Sequence, residues 1–168
     1  MITRSLQKVF ANALRLAREM RHELVTPEHV LLAMLDDPQS RDILENCGAD
    51  IERLRRELRE YLDTLEKVPP DKDFEIEQTV SLTRILQRAA VHVQSCGKGQ
   101  IDAGDLLAAM FREPESYAVY LLSRQGIRRL DILEYISHGV CSRQLPRPAP
   151  AEGEEEEGSP RPSADPLE

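Results

Sequence analysis

The fold is decided by a stretch that occurs twice: residues 26–35 read TPEHVLLAML, and residues 102–111, which lie 76 positions further on, read DAGDLLAAMF. In each copy a residue that commonly caps a helix, Thr26 or Asp102, comes directly before an apolar run of helical length. Pro27 adds a second start signal, because proline is favoured at the first helical position. Both copies therefore predict the beginning of a helix, in the same register.

The similarity extends well beyond these ten residues. Residues 3–44, laid on residues 79–120, are identical at nine of 42 positions without a gap. The identities fall on the apolar stripe and on the capping positions, where a shared backbone constrains the choice of residue. We interpret the sequence as a tandem duplication of one helical unit.

The apolar residues of both copies follow helical spacing. In the first copy Leu6, Val9, Phe10, Ala13 and Ala17 recur at the intervals that place them on one helix face, and no comparable alternation of strand type occurs. The sequence predicts about eight helices, over residues 4–21, 27–36, 39–46, 50–65, 80–96, 103–112, 115–125 and 128–137. A unit with one apolar face must bury it against a neighbour. We therefore expect an all-α fold in which two tandem four-helix repeats pack as a pseudo-twofold bundle.

The proposed domain covers residues 1–139, with repeats at about 3–65 and 79–138. Residues 140–168 have a different composition, since they hold six of the eleven prolines and the run Glu154–Glu157. Such a segment has little apolar surface to bury, and its like charges repel one another. We predict a disordered, acidic, proline-rich linker or tail.

Charge and composition exclude several classes of protein. The formal net charge is −8, whereas a nucleic-acid-binding domain normally carries a basic patch. No run approaches the roughly 20 apolar residues of a membrane-spanning helix, and the N-terminus has no export signal. The three cysteines are an odd number without CxxC spacing, so they are interpreted as reduced thiols. These features indicate a cytoplasmic protein without nucleic-acid or membrane partners.

Catalytic signatures are missing from the sequence. It has no phosphate-binding GxxxxGK[ST] loop, no GxGxxG and no GxSxG. We therefore predict no enzymatic activity and no cofactor for this chain.

The stretch from His22 to His29 superficially resembles a zinc-binding helix. An HExxH site needs both histidines on one helix turn, whereas these two are seven positions apart with Pro27 between them. We interpret Glu28 as a residue that favours a helix N-terminus and His29 as a local cap or packing residue. A weak metal contact among His22, Glu23 and Glu28 is left open.

One helix of the second copy differs from its counterpart in polarity. His92 corresponds to Leu16, and Arg88, four residues earlier on the same helix face, corresponds to Asn12. This face is either simply solvated or a binding face that arose after the duplication.

Three stretches carry a family resemblance: residues 21–35, 84–97 and 129–139. They resemble the double N-terminal repeat of the Clp-type AAA+ unfoldases, and the likeness covers nearly all of residues 1–139. Within that family the HVQSCG stretch at 92–97 and the SHG stretch at 137–139 are most similar to the ClpA group.

The resemblance implies a specific function. The N-domain of a ClpA-type unfoldase is an all-helical module that docks the adaptor ClpS, which delivers N-degron substrates to the ClpAP protease. The expected partners are thus ClpS, substrate proteins and, through ATPase modules that this chain does not contain, the peptidase ClpP. The family's docking surface falls on Glu23, Glu28, Thr79 and His92, and we add Arg88 to this predicted adaptor-binding set.

Two alternatives remain at this point. The chain could be the N-domain of another Clp-type chaperone, ClpB-like or ClpC-like, that binds unfolded substrates directly. A small metal hydrolase that uses His22 and Glu28 is the third hypothesis.

Overall fold

The computed structural model describes residues 2–138. Within this range the chain forms eight helices: α1 (Arg4–Glu19), α2 (Pro27–Met34), α3 (Pro38–Asn46), α4 (Ile51–Asp63), α5 (Val80–Ser95), α6 (Ala103–Met110), α7 (Tyr117–Arg124) and α8 (Arg129–His138). The predicted all-α fold is confirmed. The predicted tail, residues 140–168, lies outside the described residues, and the domain limits stay a prediction.

The helices repeat with the same spacing as the sequence. The helices α5 and α6 begin and end 76 residues after α1 and α2. Their caps repeat as well: the side chain of Thr3 accepts a hydrogen bond from the Leu6 amide, and that of Thr79 accepts one from the Leu82 amide. Because both cap and helix length recur, the two halves are built on one backbone plan.

Two very short strands, which the sequence did not predict, tie the halves together. The first, β1 (Leu24–Val25), pairs in parallel with β2 (Glu77–Gln78), and an isolated bridge joins Ile2 to Ile101. These two pairings are related by the 76-residue offset, and each joins the start of one copy to the loop before the second helix of the other. Segments of two residues are too short to show the alternation by which strands are recognised in a sequence.

The core lies around the second helix of each copy. Every residue of α2 and of α6 is buried, whereas α1, α4 and α5 bury only one face. The fully buried side chains are mainly leucine, with isoleucine, valine, alanine and methionine, as expected for a chain without tryptophan. None of the helices in residues 2–138 is both long and apolar enough to cross a membrane.

The connector between the repeats is held by Arg21. Its guanidinium donates hydrogen bonds to the carbonyls of Val68, at 2.9 Å, Pro69, at 2.6 Å, and Lys72, and it lies over the ring of Phe74. Arg21 itself has a φ of 58°, the left-handed conformation that glycine adopts most easily. The equivalent residue in the second copy is Gly97, with a φ of 74°. The first copy thus has an arginine at a backbone position that favours glycine, and the side chain of this arginine binds the connector.

Candidate docking site

The helix α5 carries three of the five predicted site residues along its length. Thr79 is its half-buried N-cap, Arg88 lies near its middle and His92 is exposed in its last turn. Thirteen residues of α-helix separate Thr79 from His92, which corresponds to about 20 Å. Arg88 and His92 are one turn apart and line one groove, whereas Thr79 lies at the opposite end of the helix, so the three cannot act on one small ligand.

Glu23 joins this surface through the strand pair. It directly precedes β1, and its carbonyl accepts a hydrogen bond from the Glu77 amide at 2.9 Å. Two residues further on, the Thr79 amide donates to the Val25 carbonyl at 3.2 Å. The structure thus brings Glu23, whose side chain is exposed, next to the start of α5. We call the surface formed by Glu23, Thr79, Arg88 and His92 the α5 face.

A cationic groove occupies the C-terminal part of the α5 face. It has a volume of about 480 Å³ and is lined by Arg84, Gln87, Arg88, Val91, His92 and Arg112. The first five come from α5, and Arg112 follows α6. We call this feature the arginine groove. Sequence analysis had singled out only Arg88 and His92.

A buried carboxylate orients two of the arginines. Glu113 is 7% exposed, and Arg84 donates to its two carboxylate oxygens from Nε at 3.0 Å and from Nη2 at 2.9 Å. Arg88 also hydrogen-bonds to Glu113 and donates to the Arg112 carbonyl at 2.9 Å. The hydrogen bonds from Arg84, assisted by those from Arg88, hold the pKa of Glu113 below its usual range. Glu113, together with Glu115 near Arg84, offsets the charge of two guanidinium groups, so Arg112 gives the groove an excess of positive charge.

The first copy has a different groove at the equivalent position. That groove has a volume of about 140 Å³, and it presents Asn12, Leu16 and Asp36 where the second copy has Arg88, His92 and Arg112. Asp36 is engaged by Arg55, with Nη1 to Oδ1 at 3.0 Å. The same backbone thus carries a larger, cationic groove in one copy only. The charge reversal from Asp36 to Arg112 is visible in the aligned repeats and could have identified Arg112 from sequence.

The structure places the predicted site residue Glu28 largely inside the protein. Its side chain is 4% exposed, and its Oε2 accepts hydrogen bonds from the Ser116 hydroxyl at 2.7 Å and from the Ala118 amide at 2.8 Å. Glu28 therefore reaches from the first copy to cap α7 of the second. Its Oε2 is thus engaged inside the protein, and little of the side chain is exposed.

The reason lies in how the two copies cap their third helix. In the first copy Asp37 caps α3, because its Oδ2 accepts from the Ser40 amide at 2.9 Å. The equivalent residue in the second copy is Glu113, which the arginines engage. The helix α7 consequently begins at Tyr117, three residues later than its counterpart and two later than the sequence predicted, with its N-terminus capped by Ser116 and Glu28.

The two histidines of the predicted metal-like stretch contact each other. The amide and hydroxyl of Thr26 hydrogen-bond to His29 Nδ1, at 3.0 and 2.8 Å, and His29 Nε2 lies 2.9 Å from His22 Nδ1. The expected local capping role of His29 is confirmed, whereas its contact with His22 was not foreseen. The carboxylate of Glu28 is used on α7, so the geometry does not support a hydrolytic pair of His22 and Glu28. Among residues 2–138, no three His, Cys, Asp or Glu side chains are grouped as metal ligands.

An apolar groove runs between α1 and α5, near the short strand pair. Its volume is about 500 Å³, and its lining includes Phe10, Leu14, Leu82 and Leu86. Leu14 is 44% exposed there. Sequence analysis missed this groove, because the helix periodicity shows which side chains are apolar but not how far two helices stand apart.

The architecture defines a tandem-repeat helical module whose copies differ in surface chemistry. Residues 1–125 match the family model described as the Clp repeat (R) N-terminal domain. The chain belongs to this family, which is the N-terminal domain of Clp-type AAA+ chaperones, as the sequence resemblance predicted.

Known proteins support the same assignment. The chain is 38% identical over 141 residues to a ClpA homolog protein from Fuscovulum blasticum, a match that covers 82% of the chain and 18% of that relative. The chain thus corresponds to less than a fifth of the length of this relative. Its fold is similar to the Hsp104 N-terminal domain from Candida albicans, with a TM-score of 0.70 at 18% identity over 85% of this chain and 97% of that one. It is also similar to a ClpV N-domain in complex with a VipB peptide, with a TM-score of 0.66 at 19% identity over 82% of this chain and 85% of that one.

Proposed function

We propose that this chain is the adaptor- and substrate-docking N-domain of a ClpA-type AAA+ unfoldase and that its α5 face binds ClpS. The observation that carries the proposal is the divergence between the copies. On one backbone plan, α5 presents Arg88 and His92 to the surface where α1 has Asn12 and Leu16. A polar surface that only one copy possesses fits a partner that binds once per domain.

The dimensions of the α5 face suit a protein partner. A typical interface covers about 800 Å² on each side, a patch roughly 30 Å across, and the distance from Thr79 to His92 is about 20 Å. The face has an acidic end at Glu23 and a cationic end at the arginine groove. An adaptor with the opposite arrangement of charge would be both attracted and oriented by it.

Delivery of N-degron substrates to a ClpAP protease is the wider proposal. It rests on the family membership and on the 38% identity to a ClpA homolog. It stays a proposal because the match covers only 18% of that relative. The ATPase rings and the peptidase ClpP would act through parts of a longer protein. Glu28 is left out of the proposed interface, since it is buried.

The proposal is tested by measuring ClpS affinity with matched variants. His92→Leu introduces the residue that the first copy already has at this position, so the fold should tolerate it. We expect His92→Leu to weaken ClpS binding tenfold or more, and Glu23→Lys to slow association and change its salt dependence. Arg59→Ala, which removes an exposed arginine beside the first-copy groove, is the control and should bind normally.

Circular dichroism checks that each variant is folded. Unchanged ClpS affinity in both folded variants would refute the α5 face as the docking site. A failure of the unaltered chain to bind ClpS at all would refute the adaptor function.

A second candidate function is direct binding of unfolded substrates, and the apolar groove favours it. The complex of a ClpV N-domain with a VipB peptide shows that a domain of similar fold holds a peptide. If this chain binds unfolded segments in its apolar groove, Leu14→Lys should reduce binding of a permanently unfolded polypeptide and leave ClpS affinity unchanged. Leu130→Lys, which alters an exposed leucine of α8 outside that groove, is the control.

A further inference from the structure

The arginine groove is a local exception on an acidic protein. Residues 140–168 contain three arginines and seven acidic residues, a net charge of −4, which leaves −4 of the total −8 for residues 1–139. An acidic segment would therefore be repelled by the domain as a whole. It would be attracted to the groove that Arg84, Arg88 and Arg112 line, where the buried carboxylate of Glu113 pairs with Arg84 and Arg88 only.

The chain carries such an acidic segment on its own C-terminal side. The run Glu154–Glu157 begins 16 residues after His138, the last residue of α8. Carboxylates pair with guanidinium groups through charge-assisted hydrogen bonds, which are stronger than neutral ones. The run thus has the chemistry that the arginine groove requires.

The groove lies close to the point where this segment leaves the domain. The end of α8 contacts the beginning of α6, since a Cβ added at Gly104 would lie 2.7 Å from Ile136 Cδ1. The helix α6 has eight residues and so is about 12 Å long, and Arg112 follows its end by two residues. The groove is therefore about 20 Å from the exit point. Sixteen residues span up to roughly 50 Å when extended, so the length suffices.

We propose that the Glu154–Glu157 run is an intramolecular ligand of the arginine groove and occupies it in competition with other acidic partners. Attachment to the same chain gives the run an effective concentration of the order of 1 mM. A groove that binds the free run with a Kd of about 0.1 mM would then be about 90% occupied, and an acidic competitor for the same groove would bind about tenfold more weakly. This inference does not depend on ClpS, because the contact exists in the isolated chain.

A paramagnetic label placed beside the groove tests the contact in the full chain. Cys96 is exposed, with Sγ 3.7 Å from His92 Nε2, whereas Cys47 is buried and should not react. In a Cys141→Ser background, a nitroxide on Cys96 should reduce the amide signals of Glu154–Glu157 by at least half at low salt. The signals should recover in 0.5 M NaCl, because screening weakens exposed ion pairs.

Two charge-reversal variants compare the groove of the second copy with that of the first. Arg112→Asp introduces the first-copy residue and should restore the amide signals, while Arg59→Asp makes the same change of charge beside the first-copy groove and should not. In unlabelled protein, replacing Glu154–Glu157 by glutamine should shift the resonances of Val91 and His92. Such a shift rules out that the label itself creates the contact.

Three results would overturn the proposal. Equal tail signals with oxidised and reduced label would show that there is no contact. Broadening that persists in Arg112→Asp would show that the groove is not the binding site. Broadening of an isotope-labelled chain by a separate nitroxide-labelled chain would show that the contact forms between molecules.

Discussion

Acid should destabilise this domain through the buried His22–His29 pair. The hydrogen bonds assign the protons: His29 Nδ1 accepts from the Thr26 amide, so its own proton is on Nε2 and is donated to His22 Nδ1. A second proton on His29 would place two donors against each other at Thr26. A second proton on His22 would be on Nδ1 and would face the proton on His29 Nε2. Either protonation therefore breaks a contact that the neutral pair makes.

The magnitude follows from the pKa of His29. Burial, together with the neighbouring His22, lowers this pKa from 6.5 to about 4. Between these values the unfolded chain binds a proton that the folded protein does not, so the free energy of unfolding falls as the pH falls from 6.5 to 4. The difference of about 2.5 pKa units corresponds to roughly 3 kcal/mol. Burial and the charge of Lys67 also lower the pKa of His22, against the opposing effect of Asp63, so His22 contributes with the same sign.

The variant His29→Gln isolates this effect. Glutamine at the third helical position can still reach back to the Thr26 amide, as in a capping box, but it does not titrate. Urea unfolding followed by circular dichroism at several pH values from 7.5 to 4 should show a loss of stability that is about 3 kcal/mol smaller in the variant than in the wild type. Carboxylate titration contributes to both proteins and cancels in the comparison.

His92→Gln, which replaces an exposed histidine, is the control for the loss of a histidine as such. The reasoning would be refuted if the unfolding free energies of His29→Gln and wild type fell in parallel with pH.

Two further predictions concern residues whose roles the structure revised or revealed. Glu28→Gln should lower the free energy of unfolding by about 1–2 kcal/mol, because it removes a charged acceptor at the start of α7. The control Glu23→Gln should change the free energy of unfolding by less than about 0.5 kcal/mol. Equal effects of the two variants in urea unfolding would contradict the capping role of Glu28. Arg21→Gly should relieve a left-handed backbone strain of about 1 kcal/mol, but it should also release the connector, residues 66–74. Limited proteolysis should therefore cut the connector at least fivefold faster in this variant. An unchanged cleavage rate would show that Arg21 does not hold the connector.

The repeat made much of the fold predictable. A shift of 76 residues aligned caps with caps and apolar positions with apolar positions, and α5 and α6 have the predicted spacing from α1 and α2. The caps at Thr26 and Asp102 were also predicted correctly, because their signal is local. The short strands were not predictable, since they consist of a few backbone hydrogen bonds between residues more than 50 positions apart.

The docking role of the site residues stays a prediction, but divergence between the copies singles out two of them. His92 and Arg88 were identified by comparison with Leu16 and Asn12, and the structure places both at the surface or near it. The burial of Glu28 was not predicted, because a carboxylate in the first turn of a helix normally faces water. Its burial depends on Ser116 and Ala118, which no local pattern connects with it.

The differences at Glu28, Glu113 and Arg112 form one connected change. In the first copy Asp37 caps α3, and Asp36 beside it is engaged by Arg55. In the second copy the equivalent carboxylate, Glu113, turns to Arg84 and Arg88, and the N-cap of α7 is Ser116 instead. Glu28 reinforces this cap from the other copy, and the second-copy residue equivalent to Glu28 is Gly104. The carboxylate that orients the arginine groove is thus the one that caps a helix in the first copy, and Ser116 and Glu28 take over the capping of α7. Glu28 consequently supports the α5 face through the fold, without being part of its surface.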